Sequence, residues 1–514
     1  SKVEKQQRLI LNMVKSFVQY IEITQPAIGN NTADVERVKS ALKIEGVYFP
    51  TNLANSLPSK LRRWNHKAKV VLFKNSIGWQ VADILPPDKN KALFGVAVDL
   101  GTTRIVIRLI NLETAESCGE IGFDNPQKKI APDILARIHH AKTDHGLKEL
   151  QQLVILSLNE NIKALCGKYN HNGLDSEAIY LVTVSGNSAM THLFLGIEPS
   201  FLIREPYIPA INVPEPVEAK ELGVNINQRG LVYLFPNIGS YFGGDLVSGI
   251  LFAQLNKKNS PCIMVDVGTN AEVVVGYRDW LIACAGAAGP ALEGGISDIG
   301  MTAKPGVIDK VKIDPATGKV DLHTIEEKPP IGICGSGMID LAAELFLAGM
   351  LDIRGKFVPE RCKERYFEAD GIGCFRVADE IVLTQVEMNS LTSSKAAMYS
   401  ILQVIIEKTA GLQFSDLEKF YVAGTFGSFI NPKSAISIGM LPDIPIDKFE
   451  VLGNSSLEGA AKLLINPDSF DEIEQIRKAI TYIELNVNQE FMNIFSGAKF
   501  YPHTDTSRFP SVIF

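Results

Sequence analysis

No stretch of this sequence approaches the roughly eighteen uninterrupted apolar residues of a membrane-spanning helix. Its opening, SKVEKQQRLILNMVKSF, mixes charged and apolar side chains instead of placing a basic end before an apolar run, so no secretory leader is expected either. An excess of positive charge is also missing. The 51 Lys and Arg stand against 58 Asp and Glu, a formal net charge of −7 with no basic stripe, which argues against a nucleic-acid partner. Cysteine is sparse: the seven (Cys118, Cys166, Cys262, Cys284, Cys334, Cys362, Cys374) are an odd number and no two lie closer than twelve residues. That spacing excludes a disulfide framework, a zinc ribbon and a cysteine-ligated iron–sulfur cluster, and it fits a reducing cytoplasm. What the 514 residues do hold is apolar content, 46% against 21% charged, enough to bury several cores.

The texture changes along the chain. Residues 1–30 read as a short helix and an extended piece punctuated by Pro26 and Gly29, a linker or arm; 31–92 read as a small α+β domain opening with a helix at Asp34. At Leu93 begins FGVAVDLGTTRIVIRLINLETAESCGEIGF, an apolar strand ended by an acid, a Gly-Thr-Thr turn, a β-branched strand and a third strand. The same order returns as CIMVDVGTNAEVVVGYRDWLIACAG. The two acids, Asp99 and Asp266, are 167 residues apart, a spacing that indicates duplication of a domain and not a solenoid. Each unit continues with helices and a further strand (AIYLVTVSG in the first, KFYVAGTFG in the second), so the halves are set at 93–260 and 261–514. Strands alternating with helices predict mixed α/β sheets, with a ligand at the carboxyl ends of strands in a cleft between similar halves.

Asp99-Leu100-Gly101-Thr102-Thr103 brings a carboxylate to the mouth of a sheet, followed by a tight turn whose hydroxyls and amides suit phosphate oxygens while the acid holds a hydrated divalent ion. Taken alone it reads as an ordinary hairpin turn followed by Thr suited to a strand. The second copy, Asp266-Val267-Gly268-Thr269-Asn270, favours a phosphate clamp. Gly424 and Gly427, in VAGTFGSF, form a strand-to-helix turn suited to a purine or ribose lying flat on the backbone. Gly335, in GICGSG, opens another turn that reads as a nucleotide loop or as a plain helix start. Glu272 lies two residues beyond Asn270, on the same strand face, and suits either the orientation of an attacking water or a polar cleft rim. His139, His140 and His145 read as a solvated helix face, and Cys284 and Cys334 as buried fillers.

DLGTT, DVGTN and GTFGS, with SGNSAMTHLFLG and GNSSLEGAAKLL, resemble the phosphate-1, phosphate-2, adenosine and connecting motifs of the actin-like ATPase superfamily. Within it, FDNPQKKIAPDILARI, FPNIGSYFGGDLVSGI, AGAAGPALEGGI and GICGSGMIDLAAEL closely resemble the reductive activators of corrinoid proteins, over nearly the whole chain from about Thr24. The resemblance implies a duplicated ribonuclease H-like (actin-like ATPase) α/β domain behind the linker and the small α+β domain. It implies ATP and Mg2+ as cofactors, and a corrinoid protein as partner: a corrinoid iron–sulfur protein or a methyltransferase corrinoid subunit, reduced from Co(II) to Co(I). It also implies a cytoplasmic homodimer. Such activators start with a plant-type [2Fe-2S] domain; here no C-x4-C-x2-C run occurs and the sequence begins at Ser1, so a chain lacking that domain is expected.

Carried onto this sequence, Asp99, Gly101, Thr102 and Thr103 would form the first phosphate loop and Gly268, Thr269 and Asn270 the second. Asp99 and Asp266 would hold magnesium or its water, Asp266 and Glu272 would be catalytic, and Gly335, Gly424 and Gly427 would meet the nucleotide. Ala285, Ala287, Gly289 and Gly295 lie in a stretch so small and apolar (ACAGAAGPALEGG) that it suits close approach of a large flat partner. A small-molecule kinase of the same superfamily would want a polar substrate pocket there. A non-catalytic actin-like scaffold is the third reading.

Overall fold

The computed structural model describes residues 16–169, 174–267, 271–286, 299–301, 303–424, 430–485 and 489–513. Its contacts divide the chain into two compact units: one runs to Phe252 and takes back Ser455–Lys478, and the other holds Ala253–Asn454 and Ala479–Phe514.

The first unit begins with a three-stranded antiparallel sheet of β1 (Val18–Glu22), β2 (Lys67–Asn75) and β3 (Gly78–Leu85) in sequence order. Val70, Leu72, Val81 and Ile84 from this sheet bury against Val38 and Leu42 of the helix Asp34–Leu42 and against Leu53, Leu57 and Leu61. The extended piece assigned to an arm over 1–30 is therefore in part a strand of the small domain: Val18 pairs with Val71 and Glu22 with Lys67. Its partner lies some fifty residues downstream, so nothing in the local pattern announces the pairing.

The main sheet of this unit joins β4 (Phe94–Leu100), β5 (Arg104–Asn111), β6 (Ser117–Asp124), β7 (Ile179–Gly186), β8 (Val217–Glu218) and β9 (Leu231–Leu234), in the order β6-β5-β4-β7-β9-β8. β6, β5 and β4 form an antiparallel meander, and β7 and β9 continue parallel to β4. Val96, Val98, Ile105, Ile107 and Leu109 bury against Leu150, Val154, Leu158 and Ile162 of the helix Asp144–Lys168, whose apolar residues recur at helical spacing. The opposite face receives the helix Ser455–Ile465, which packs on β4 and β7; a Cβ at Gly95 of β4 would stand 2.7 Å from Leu464. The second half set at 261–514 is thus not contiguous in space. Its small residues explain the destination, because a Cβ at Gly459 would stand 2.0 Å from the carbonyl oxygen of Ser248 on the helix Gly244–Ala253, too close for any other residue.

The second unit repeats the plan. Its main sheet uses β10 (Cys262–Val267), β11 (Ala271–Tyr277), β12 (Trp280–Gly286), β19 (Lys419–Ala423), β20 (Phe449–Gly453) and β21 (Ile480–Glu484), in the order β20-β19-β10-β11-β12-β21. Again an antiparallel meander, β12-β11-β10, continues into two parallel strands, so the duplicated α/β architecture is present; the sixth strand differs, β8 pairing antiparallel with β9 and β21 parallel with β12. Two small sheets fill the long connection from β12 to β19: β13 (Val307–Ile313), β14 (Val320–Thr324) and β15 (Gly332–Ile333), then β16 (Tyr366–Ala369), β17 (Ile372–Ala378) and β18 (Ile381–Thr384). The helices Gly335–Leu347 and Gln385–Gln403 supply Ile339, Leu341, Met398 and Leu402 to the core of this unit.

Inside the first unit the small sheet is fastened to the main one by buried charge. Lys69 of β2, 1% exposed, donates to the Lys91 carbonyl at 2.6 Å and to Glu113 Oε1 at 3.0 Å, while the Tyr20 hydroxyl donates to Glu113 Oε2 at 2.7 Å. Asp83 of β3 accepts from the Tyr180 hydroxyl at 3.0 Å. Phe470, on the helix Ser469–Ala479, stands edge-on to Phe17, Phe73, Trp79 and Tyr233 with ring centroids 5.0–6.4 Å away. Removing one partner of a buried pair strands the other charge. Glu113→Ala should lower unfolding free energy by about 3–5 kcal/mol in urea denaturation, and adding Lys69→Met should restore much of it. A loss below about 1 kcal/mol for Glu113→Ala would show that the pair is effectively solvated.

Candidate nucleotide site

The two acids occupy equivalent places, each at the carboxyl end of the central strand of its sheet. In the first unit, Asp99 closes β4 and is the register partner of Ser185 on the parallel strand β7, so both side chains leave the sheet on one face. Asp99 is half-buried, and its Oδ1 accepts from Ser456 Oγ at 2.8 Å. Ser456 Oγ in turn lies 2.8 Å from Ser185 Oγ, which is also 3.3 Å from the Gly244 carbonyl. An ionised carboxylate only accepts, so the Ser456 proton goes to Asp99, and the single Ser185 proton is shared between Ser456 Oγ and the Gly244 carbonyl. Ser456 is itself held, because Ser248 Oγ donates to its carbonyl at 2.7 Å.

Residues 101–103 leave β4 in a turn that requires glycine at its first position: a Cβ on Gly101 would stand 2.3 Å from the Arg104 carbonyl oxygen. Asn125, 1% exposed, fastens this turn twice, its Nδ2 donating to the Gly101 carbonyl and its backbone N–H to the Thr103 carbonyl, both at 2.9 Å. Asn187, which precedes the helix Ser188–Leu195, donates through Nδ2 to Thr102 Oγ1 at 3.0 Å. Thr103 is exposed and Thr102 half-buried.

In the second unit, Asp266 of β10 is flanked in register by Ala423 of β19 and Glu272 of β11; Glu272 is opposite Ala285 of β12, and Ala285 opposite Glu484 of β21. Asp266, Glu272 and Ala285 therefore share one row and one face; Asn270, on whose face the two-residue spacing set Glu272, lies outside the described residues. Cβ atoms of such opposed pairs lie about 4.5–5.5 Å apart, and two carboxylates side by side repel unless positive charge joins them. Gly424 follows β19 with φ +84°, and a Cβ there would stand 2.6 Å from Asp266 Oδ1 and 3.1 Å from the Val267 carbonyl oxygen. Gly424, expected to meet the nucleoside, is thus packed on the second acid. Gly335 is the buried first residue of the helix Gly335–Leu347. On that helix burial holds the Asp340 carboxyl above the usual range against an opposing hydrogen bond from Ser434. Cys284 is fully buried, and burial, helped by Glu272, holds its thiol protonated. Gly268, Thr269, Asn270, Gly427, Ala287, Gly289 and Gly295 lie outside the described residues.

These donors fit a nucleotide that brings its own cation. Mg2+ is usually held by one or two carboxylates together with substrate phosphates. Each unit offers acids at a strand end, and among the described residues no group of three or more His, Cys, Asp or Glu could hold a metal unaided. Sequence reasoning missed Asn125, Ser185, Asn187 and Ser456. All four lie in the stretches DNPQ, VSGNSAM and GNSSLEG; the asparagines carry a signal, since Asn ahead of a helix is a preferred N-cap.

Three sequence profiles match consecutive parts of the chain: the RACo linker region over residues 15–91, the RACo middle region over 94–258, and the C-terminal domain of RACo, the ASKHA domain, over 260–513. The chain is 29% identical over 435 residues to the corrinoid activation enzyme RamQ of Eubacterium limosum, covering 81% of this chain and 72% of that protein. It is 24% identical over 441 residues to the reductase of the Co(II) methylated amine-specific corrinoid protein of Methanosarcina barkeri, covering 78% and 76%. A solved structure described as a reductive activator for corrinoid, iron-sulfur protein superposes with a TM-score of 0.83 at 35% identity, covering 98% of this chain and 81% of that one.

Gly424→Ala tests the contact on the second acid. The added methyl meets Asp266 and a backbone carbonyl in a conformation that disfavours any side chain, which costs about 1–3 kcal/mol locally. We expect nucleotide hydrolysis to fall at least about tenfold while the melting temperature changes little, read by phosphate release and circular dichroism; unchanged hydrolysis would place Asp266 outside the reaction.

Proposed function

Because the chain belongs to the RACo family, whose linker, middle and ASKHA regions it carries in order, we propose that it is an ATP-dependent reductive activator that binds a corrinoid protein in the inactive Co(II) state and drives its reduction to Co(I). The observation that carries this reading is the likeness to a solved reductive activator over 98% of this chain and 81% of that one, at an identity where more than the fold is shared. The partner is a corrinoid iron–sulfur protein or a methyltransferase corrinoid subunit, and the protein works as a homodimer in the cytoplasm.

Residues 101–103 and 268–270 take the phosphates, and Gly335, Gly424 and Gly427 the nucleoside. Asp99 and Asp266 would hold Mg2+, directly or through water, which supplies charge neutralisation at the phosphates. Glu272, beside Asp266 on the same face, orients the attacking water. One electron leaves a low-potential donor, which is oxidised, and enters Co(II), which becomes Co(I). A tenfold shift in such a one-electron equilibrium is about 59 mV, or about 1.4 kcal/mol, so a few kcal/mol of differential partner binding between nucleotide states moves the couple substantially. The small-residue stretch that begins at Ala285 meets the exposed face of the corrinoid.

The test is spectroscopic. With a chemical reductant too weak to reduce the corrinoid protein alone, ATP and this chain should together produce the Co(I) absorbance. Asp266→Ala should abolish it and remove most hydrolysis, because metal-assisted charge stabilisation is worth several kcal/mol. Co(I) formed equally well without ATP, or near-normal turnover in Asp266→Ala, would refute the reading.

A further inference from the structure

The polarity of one hydrogen bond in the first phosphate loop is settled by its neighbours. Asn187 caps the helix Ser188–Leu195, and its Oδ1 accepts from the Met190 backbone N–H at 2.9 Å. A backbone N–H can only donate, so the amide oxygen must face the helix and the NH2 must face Thr102. At 3.0 Å that NH2 donates to Thr102 Oγ1. A threonine hydroxyl has one proton and two acceptor lone pairs. One lone pair is taken by Asn187, and the proton has to be spent elsewhere.

The amide cannot turn over without losing the cap, and Gly243 approaches its backbone so closely that a Cβ there would stand 2.5 Å from Asn187 Cα. Meanwhile Asn125 occupies the Gly101 and Thr103 carbonyls. These are two of the three carbonyls of the turn, groups that would repel an anion. With them drawn to Asn125, the turn offers hydroxyls and amides of donor polarity.

We propose that Asn187 is a positioning residue that commits the Thr102 hydroxyl to donate to a phosphate oxygen, so that this loop favours phosphorylated nucleotide over nucleoside. The proposal rests on the reading of residues 101–103 as a phosphate loop.

Three substitutions separate capping from donor polarity, because Asp and Ser cap helices about as well as Asn. Asn187→Ser keeps the cap and removes the amide donor. Asn187→Asp keeps the cap and puts an acceptor before Thr102, reclaiming its proton. Thr102→Val removes the hydroxyl. Calorimetric titration of the full chain with ATP and with adenosine, beside the melting temperature of each variant, reads the outcome. A hydrogen bond to a charged group is worth enough that losing it weakens binding by roughly tenfold to a hundredfold. We expect Asn187→Asp and Thr102→Val each to weaken ATP at least tenfold, and Asn187→Ser by several-fold, with adenosine affinity and melting temperature nearly unchanged. Asn187→Ser should cost nothing further in a Thr102→Val background. Wild-type ATP affinity in Asn187→Ser and Asn187→Asp, equal losses for ATP and adenosine, or a full additional loss in the Thr102→Val background would overturn the proposal. Wild-type ATP affinity in Thr102→Val would instead sink the phosphate-loop reading on which it stands.

Discussion

The mouth of the first main sheet depends on one close approach, the crossing of the helices Gly244–Ala253 and Ser455–Ile465 at Gly459. There the backbone of one helix meets the Ser248 carbonyl of the other at a distance only glycine permits. Polar contacts then fix the register: Ser248 Oγ donates to the Ser456 carbonyl, Thr183 Oγ1 to the Ala460 carbonyl at 2.9 Å, and Lys462 Nζ to the Leu251 carbonyl at 2.6 Å. Only with this register does Ser456 reach Asp99, 357 residues earlier in the chain. An acid at a strand end is thus held by a segment from near the other end of the sequence.

The same returning segment reaches the small N-terminal sheet. The helix Ser469–Ala479 sets Phe470 among Phe17, Phe73, Trp79 and Tyr233, and Asp471 beside Lys74 at 2.6 Å. Lys69, Glu113 and Tyr20 add a buried polar tie between this sheet and the main one. Linker sheet, first main sheet and returning helices therefore fold as one unit. The second unit solves the matching problem with its own material, packing Gly424 directly on Asp266.

Much of this was legible in the sequence because it is local. Apolar β-branched runs ended by Asp-x-Gly announced β4 and β10, and their repetition announced the duplicated sheet. What escaped is long-range. β1 was read as an arm because half its character as a strand comes from β2, far downstream. Ser455–Lys478 was assigned by sequence order to the second half, whereas the fit of Gly459 against Ser248 sends it to the first. Asn125 and Asn187 carry the signature of helix caps, but nothing local says that their free amide groups reach back to Gly101 and Thr102.

The central claim is that nucleotide binding at these loops governs engagement of a corrinoid protein. The most direct measurement is the equilibrium affinity of the chain for a purified Co(II) corrinoid protein, titrated with ATP, with ADP and without nucleotide. The account predicts an affinity that changes at least tenfold with the nucleotide supplied, and a change that is lost when the corrinoid is already Co(I). An affinity indifferent to both nucleotide and cobalt oxidation state would contradict it.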